Sequence, residues 1–152
     1  QFKLKVYNGI LFNHESLLRP KNFVVRKIIS GANDIFNKKI NELKIGNTEV
    51  YRDWGWAPEY VKIIYKIMNT VEPSDYIIAT GKITKLDYII TKVFNHYKIS
   101  KKTYLKKSNK LKRKLEPMQI KADITKLKKK LKYAPKILID KIIPFIIVDE
   151  KK

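Results

Sequence analysis

Four hydrogen-bonding side chains in a row, Asn13-His14-Glu15-Ser16, follow directly on the apolar run Asn8-Gly9-Ile10-Leu11-Phe12. Polar groups gathered just past the end of a buried strand are where α/β proteins hold small ligands, so Asn13 and His14 are read as candidate ligand contacts. A strand-end turn with His14 bonded to backbone would use the same residues without a ligand. Arg19 comes next, and then the period of the sequence changes. Val24, Ile28, Ala32, Ile35, Phe36, Ile40 and Leu43 recur at helical spacing, which predicts a helix starting at Asn22 or Phe23 with Asn22 as its N-cap. The unbonded N–H groups of its first turn, with Arg26 and Lys27 in the same turn, suit a phosphate. Val24, Lys27 and Ile28 share a face, so the Lys27 ammonium emerges beside the apolar stripe.

The arginines carry further information. Thirty of the thirty-four basic residues are lysine, leaving Arg19, Arg26, Arg52 and Arg113. In a chain that uses lysine almost wherever a positive charge suffices, a retained arginine points to a need for its planar, two-pronged fork, as in binding phosphate or carboxylate. Arg52 belongs to Arg52-Asp53-Trp54-Gly55-Trp56, which also admits a structural account: Trp54 in the core and Arg52 paired to Asp53 or another acid.

Length and charge set the outer bounds. The 152 residues are enough for one ordinary core and are read as a single domain, 1–152. The net charge of +20 suggests a basic nucleic-acid or anionic-surface module as a rival function. Residues 98–132 hold fifteen Lys/Arg against Glu116 and Asp123, which supplies +13 of that total. The segment lacks the interleaved aromatics of a base-stacking platform, so nucleic acid is the weaker choice. Cysteine is absent and nothing points to an oxidising compartment; a cytoplasmic protein is expected. Ile142 to Val148 is apolar but short and broken by Pro144, so it is not read as a membrane span. His14 and His96 stand in unrelated contexts, which argues against a metal site.

The elements that must position these residues alternate between strands and helices, the pattern of an α/β protein. Lys3 to Phe12 is predicted as a central strand, and the helix from Asn22 is expected to run to about Lys39. Leu43 to Ile45 forms a short strand closed by Gly46-Asn47. Glu49 to Trp54 is extended and bends at Gly55. A helix follows with Pro58 in its first turn and Val61, Ile64, Tyr65 and Met68 inward. Tyr76 to Ala79 is a buried strand. Thr84 and Asp87 form a capping box for a helix burying Leu86, Ile89, Ile90, Val93, Phe94 and Tyr97. Residues 98–112 are a lysine-rich loop and Met118 to Ala122 a short strand. Asp123 caps a helix with Ile124, Leu127 and Leu131 inward, and a last helix from Asp140 is interrupted at Pro144.

The segments NGILFNHES, Arg19, NFVVRKI, RDWG and EPSDYIIATG, in this order and spacing, resemble the C-terminal half of the GDP-mannose 4,6-dehydratase family. That family belongs to the extended short-chain dehydrogenases/reductases. The resemblance covers most of the chain and is weakest from Lys98 to Leu111 and after Ile143. It implies an α/β fold, the C-terminal substrate-binding part of such an enzyme, without the N-terminal Rossmann core and with residues 1–13 as a strand of that truncated sheet. It also implies that Asn13, Val24, Lys27, Arg52, Arg113 and Glu116 bind GDP-mannose or a related nucleotide-sugar, and that His14 and Arg19 contact NADP. The full-length enzyme would be a homo-oligomer. Several positions depart from the family pattern: Leu17-Leu18-Arg19-Pro20 stands for Pro-Arg-Arg-Gly, Val25 for Thr, Trp56 for His, and Arg113-Lys114-Leu115-Glu116 lacks the proline of Arg-Pro-x-Glu.

In the family, hydride leaves C4 of the mannose ring, water is lost across C5 and C6, and hydride returns to C6. The Tyr-x-x-x-Lys pair that serves this chemistry, with Thr or Ser and Glu, is expected upstream of Gln1, so the chain should hold no catalytic residue and be inactive alone. Its five glycines form no GxGxxG or GxxGxxG array, which a dinucleotide site requires after its first strand. A dehydratase or epimerase acting on another nucleotide-sugar is the alternative within the same class.

Overall fold

The computed structural model describes residues 4–111 and 115–150. Short apolar runs become strands and the 3.6-period segments become helices: β1 Asn8–Leu11, β2 Asn13–Glu15, α1 Val24–Phe36, β3 Leu43–Ile45, β4 Tyr51–Trp56 and α2 Ala57–Thr70. Then follow β5 Asp75–Ile78, β6 Ile83–Lys85, α3 Leu86–His96, α4 Lys101–Tyr104, β7 Leu105–Lys107, α5 Thr125–Leu131 and α6 Ile139–Glu150.

Three small sheets organise the strands. β1 runs parallel to β5, with Asn8 opposite Asp75 and Leu11 opposite Ile78. β4 is the middle strand of the second sheet, parallel to β2 and antiparallel to β6. β3 pairs in parallel with β7. One core gathers α1, α3, α6, β3, Val50 and Trp54. A second joins α2, β5 and the Ala122-to-Leu127 segment around Tyr60, Tyr76 and Ile78. The inward face of α3 holds five of the six predicted residues, and the sixth, Tyr97, is buried just past its end.

Other expectations are corrected. Of the predicted central strand Lys3 lies outside the described residues, and the rest shortens to β1, whose only strand partner among the described residues is β5; Ile10 and Leu11 are 50% and 41% exposed. Asn13 to Glu15, expected just past the end of a strand, forms a strand of its own, because β4 lies alongside to accept its backbone pairing. α2 turns Tyr60, Ile63 and Ile67 inward and leaves Val61, Tyr65 and Met68 outside, a rotation set by burial of those three residues in the second core. No capping box forms at α3: Thr84 is held in β6 opposite Arg52, and the N–H groups of Leu86 and Asp87 donate to the carbonyls of Val50 and Thr48, both at 2.9 Å. Residues 98–111 are not a structureless loop; they carry α4, β7 and a 3-10 turn over Asn109–Leu111. The Met118-to-Ala122 strand reduces to a single bridge, Gln119 beside Tyr51.

α6 continues through Pro144. A proline there removes one backbone donor at a cost of about 3 kcal/mol. Burial of Ile142, Ile143, Ile146 and Ile147, roughly 1.5–3 kcal/mol each, outweighs it.

Candidate functional site: a cleft between β2, β4 and the start of α1

Side chains alternate along a strand, so β2 turns Asn13 and Glu15 to one face and His14 to the other. Arg52 and Trp54 of β4 share the face of Asn13 and Glu15. The loop after β2 delivers Arg19, and the start of α1 delivers Phe23 and Val24. Together with Asn47 and Glu116 they enclose a cleft of about 540 Å³. A smaller hollow of about 170 Å³ adjoins it and shares Asn13, Arg52 and Glu116. Four of the predicted substrate residues, Asn13, Val24, Arg52 and Glu116, thus come from four separate segments to one cavity. Arg19, expected at the cofactor, lines the same cleft.

Arg52 is held from both sides. Its Nη1 donates to the carbonyls of Tyr51 at 2.7 Å and Met118 at 3.4 Å, and its Nη2 donates to Glu116 Oε1 at 3.4 Å. Both side chains are largely buried, 12% and 18% exposed. The acid that Arg52 pairs with is therefore Glu116 and not Asp53. Asp53 is buried and accepts hydrogen bonds from Thr80 N, Thr80 Oγ1 and Gly81 N at 3.1, 2.7 and 2.7 Å, fastening β4 to the turn after β5. Gly55 is needed for close packing rather than for a bend: a Cβ there would stand 2.4 Å from the Tyr60 ring.

Glu15 was not foreseen as a cleft residue. Its carboxylate is buried, 3.7 Å from Arg19 Nε, and burial raises its pKa to about 7 against the opposing charges of Arg19 and Arg26. The Arg19 guanidinium rests 3.8 Å over the Phe23 ring. The signal that could have found Glu15 was the two-residue repeat with Asn13, invisible while this stretch was placed past the end of a strand.

Lys27 and His14 lie outside the cleft wall. Lys27 Nζ donates to the carbonyl of Lys44 at 2.8 Å, because β3 passes beside the first turn of α1. His14 Nδ1–H donates to the carbonyl of Phe12 at 2.8 Å, and its ring packs 5.2 Å from Tyr60. Arg26 does not join Lys27 as a phosphate cation; it is buried and paired with Asp149 at 3.2 Å and Glu150 at 3.4 Å. α1 starts after Phe23 with no side-chain cap, so Asn22 lines the cleft without serving as N-cap. Arg113 lies outside the described residues. The Tyr-x-x-x-Lys spacing does occur twice, away from the cleft: Tyr88 and Lys92 both bond Asp140, and Tyr97 is buried while Lys101 bonds Asp87. Of the lysines of the basic segment, Lys106 and Lys107 stand on β7, whose Leu105 packs on the first core, and Lys126, Lys128, Lys129 and Lys130 on α5, whose Leu127 is buried in the second.

Against known proteins, residues 1–145 match the family model described as GDP-mannose 4,6 dehydratase. The chain belongs to this family. It is 31% identical to human GDP-mannose 4,6 dehydratase over 93% of this chain and 43% of that protein, so it spans less than half of its relative's length. Its fold is shared with RMD from Pseudomonas aeruginosa, complexed with NADPH, at a TM-score of 0.85 and 17% identity over 97% of this chain and 48% of the other. dTDP-glucose 4,6-dehydratase from Bacillus anthracis, in complex with NAD, gives a TM-score of 0.83 at 11% identity over 99% of this chain and 46% of the other. The fold of this GDP-mannose 4,6-dehydratase family chain is thus that of the extended short-chain dehydrogenases/reductases.

Proposed function

We propose that this chain is the nucleotide-sugar-binding part of a GDP-mannose 4,6-dehydratase, and that it takes part in converting GDP-mannose to GDP-4-dehydro-6-deoxy-mannose when joined to an NADP-binding half. The observation that carries it is the meeting of Asn13, Val24, Arg52 and Glu116 around one cleft of about 540 Å³. The cleft's chemistry fits a sugar nucleotide. Arg52 and Arg19 offer guanidinium N–H groups to a diphosphate, Glu116 accepts from ribose hydroxyls, and Asn13 can both donate to and accept from the sugar.

NADP does not fit the described residues of this chain as a site of its own. No glycine-rich turn follows a parallel strand, and His14 faces away from the cleft that Arg19 lines. The chain's own part is to bind and orient: the Arg52–Glu116 pair opens to take phosphate and ribose, and Glu15 keeps Arg19 at the wall. The chain alone is expected to be inactive. On this proposal the full-length enzyme is a cytoplasmic homo-oligomer, and the exposed face of β1 is where the cofactor-binding half docks.

A thermal-shift titration with GDP and GDP-mannose tests the assignment. A saturable rise in melting temperature with both, absent with free mannose at equal concentration, is the expected result. No shift with either nucleotide would overturn it.

A further inference from the structure

Two successive turns carry Arg19 to the cleft: its N–H donates to the carbonyl of Ser16 at 3.3 Å, and that of Phe23 donates to the carbonyl of Pro20 at 3.1 Å. Two side chains then hold the guanidinium. The Phe23 ring centroid lies 3.8 Å from Cζ, and Glu15 Oε2 stands 3.7 Å from Nε. Nε and Oε2 are both closed off from solvent and have no hydrogen-bond partner among the described residues. Nη1 and Nη2 are not closed off in this way, so this end of the fork is open to the cleft that Arg19 lines. A ligand therefore meets Arg19 directly and reaches the Glu15 carboxylate only through it.

Resting on the nucleotide-sugar reading, we propose that Glu15 is a positioning residue for Arg19, and that binding of a diphosphate at the Arg19 Nη groups is coupled to uptake of a solvent proton by the Glu15 carboxyl. A carboxylate buried to 1% exposure with an oxygen that accepts no hydrogen bond keeps its charge only while cations stand near it. Those cations are Arg19, from the loop after β2, and then Arg26 of α1. Arg26 is shared with Asp149 and Glu150 of α6, and Glu150 in turn with Lys21. The other charged residues lining the cleft, Arg52 and Glu116, pair with each other, and His14 is turned to the opposite face of β2.

Burial already lifts the Glu15 carboxyl to about 7, so it is about half protonated at neutral pH. A diphosphate brings two negative charges to the cation on which Glu15 depends most. The ionised carboxylate loses that support, and its affinity for a proton rises by roughly tenfold. By linkage, diphosphate affinity is greatest at low pH and falls as the pH rises through 7.

Titration calorimetry of this chain with GDP-mannose, a diester whose phosphates do not titrate between pH 6 and 8, tests the coupling. At pH 7, comparison of buffers with low and high ionisation enthalpy should show uptake of roughly 0.3–0.5 proton per ligand bound, and affinity should fall roughly fivefold from pH 6 to pH 8. Glu15→Gln, neutral throughout, should take up no proton and hold the parent's low-pH affinity at every pH. Arg19→Ala, at a partly exposed position, should bind more weakly and also take up none, because a carboxyl without its cation stays protonated. Binding without uptake in the parent chain, or uptake that persists in either variant, would overturn the coupling and leave the nucleotide-sugar assignment standing. No binding at any pH would overturn both.

Discussion

Arg52 and Glu116, sixty-four positions apart, meet across the cleft with Nη2 3.4 Å from Oε1. The pair ties β4 to the segment after residue 115, and among the described residues Arg52, Glu116 and Asn13 are the ones that line both the main cleft and its side hollow.

On the proposed function, replacing Arg52 removes a charge-assisted partner for phosphate worth about 1.5–3 kcal/mol. Arg52→Ala should therefore weaken GDP binding by roughly 10- to 100-fold in titration calorimetry, and Arg52→Lys should recover only part of it because the fork is lost. Undiminished affinity in Arg52→Ala would remove the residue from the site.

Glu15 gives the chain a defined pH dependence. Burial holds its pKa at about 7, above the ordinary 4.5. Between those values the folded chain keeps a proton that the unfolded chain has released, so stability falls as pH rises through this window, by about 3 kcal/mol in all. Glu15→Gln, uncharged throughout, should flatten the profile and be the more stable form at pH 8. Urea denaturation from pH 4 to 8 measures both curves, and parallel curves would contradict the assignment.

Asp53 is a fastening rather than a ligand. Its buried carboxylate accepts three hydrogen bonds from Thr80 and Gly81. Asp53→Ala should cost about 3 kcal/mol or more, leaving Thr80 N and Gly81 N unsatisfied. A midpoint in denaturant within error of the parent would show that water replaces the carboxylate at no cost.

The exposed strand β1 should make the chain prone to associate through its unpaired side. Ile10→Lys places a charge on a half-exposed position of that strand and should lower aggregation, read by light scattering, with little change in circular dichroism. Equal scattering from both chains would mean that β1 is not the sticky surface.

Part of the lining of the candidate cleft was legible in the order of residues, and for identifiable reasons. Asn13, Arg52 and Glu116 carry side chains that suit phosphate and sugar, Val24 was named through the family resemblance, and all four reach one cleft. Lys27 did not, although its helical position was read correctly: a carbonyl of the neighbouring β3, Lys44, captures its ammonium. Arg26 was misjudged because its partners, Asp149 and Glu150, stand more than a hundred residues away and nothing local announces them.

The sequence by itself determined which stretches are helix or strand wherever the apolar period was long, as in α1 and α3, since local spacing decides which residues can share a face. It also determined the family, because short motifs in a fixed order survive without reference to neighbours. Only the tertiary structure decided which face of α2 turns inward, why α6 runs through Pro144, and that Glu15 lines the cleft at all. Those outcomes depend on what lies across the gap, through burial of isoleucines in one case and a pairing strand in another, and contacts between distant segments leave no periodic mark on the chain that makes them.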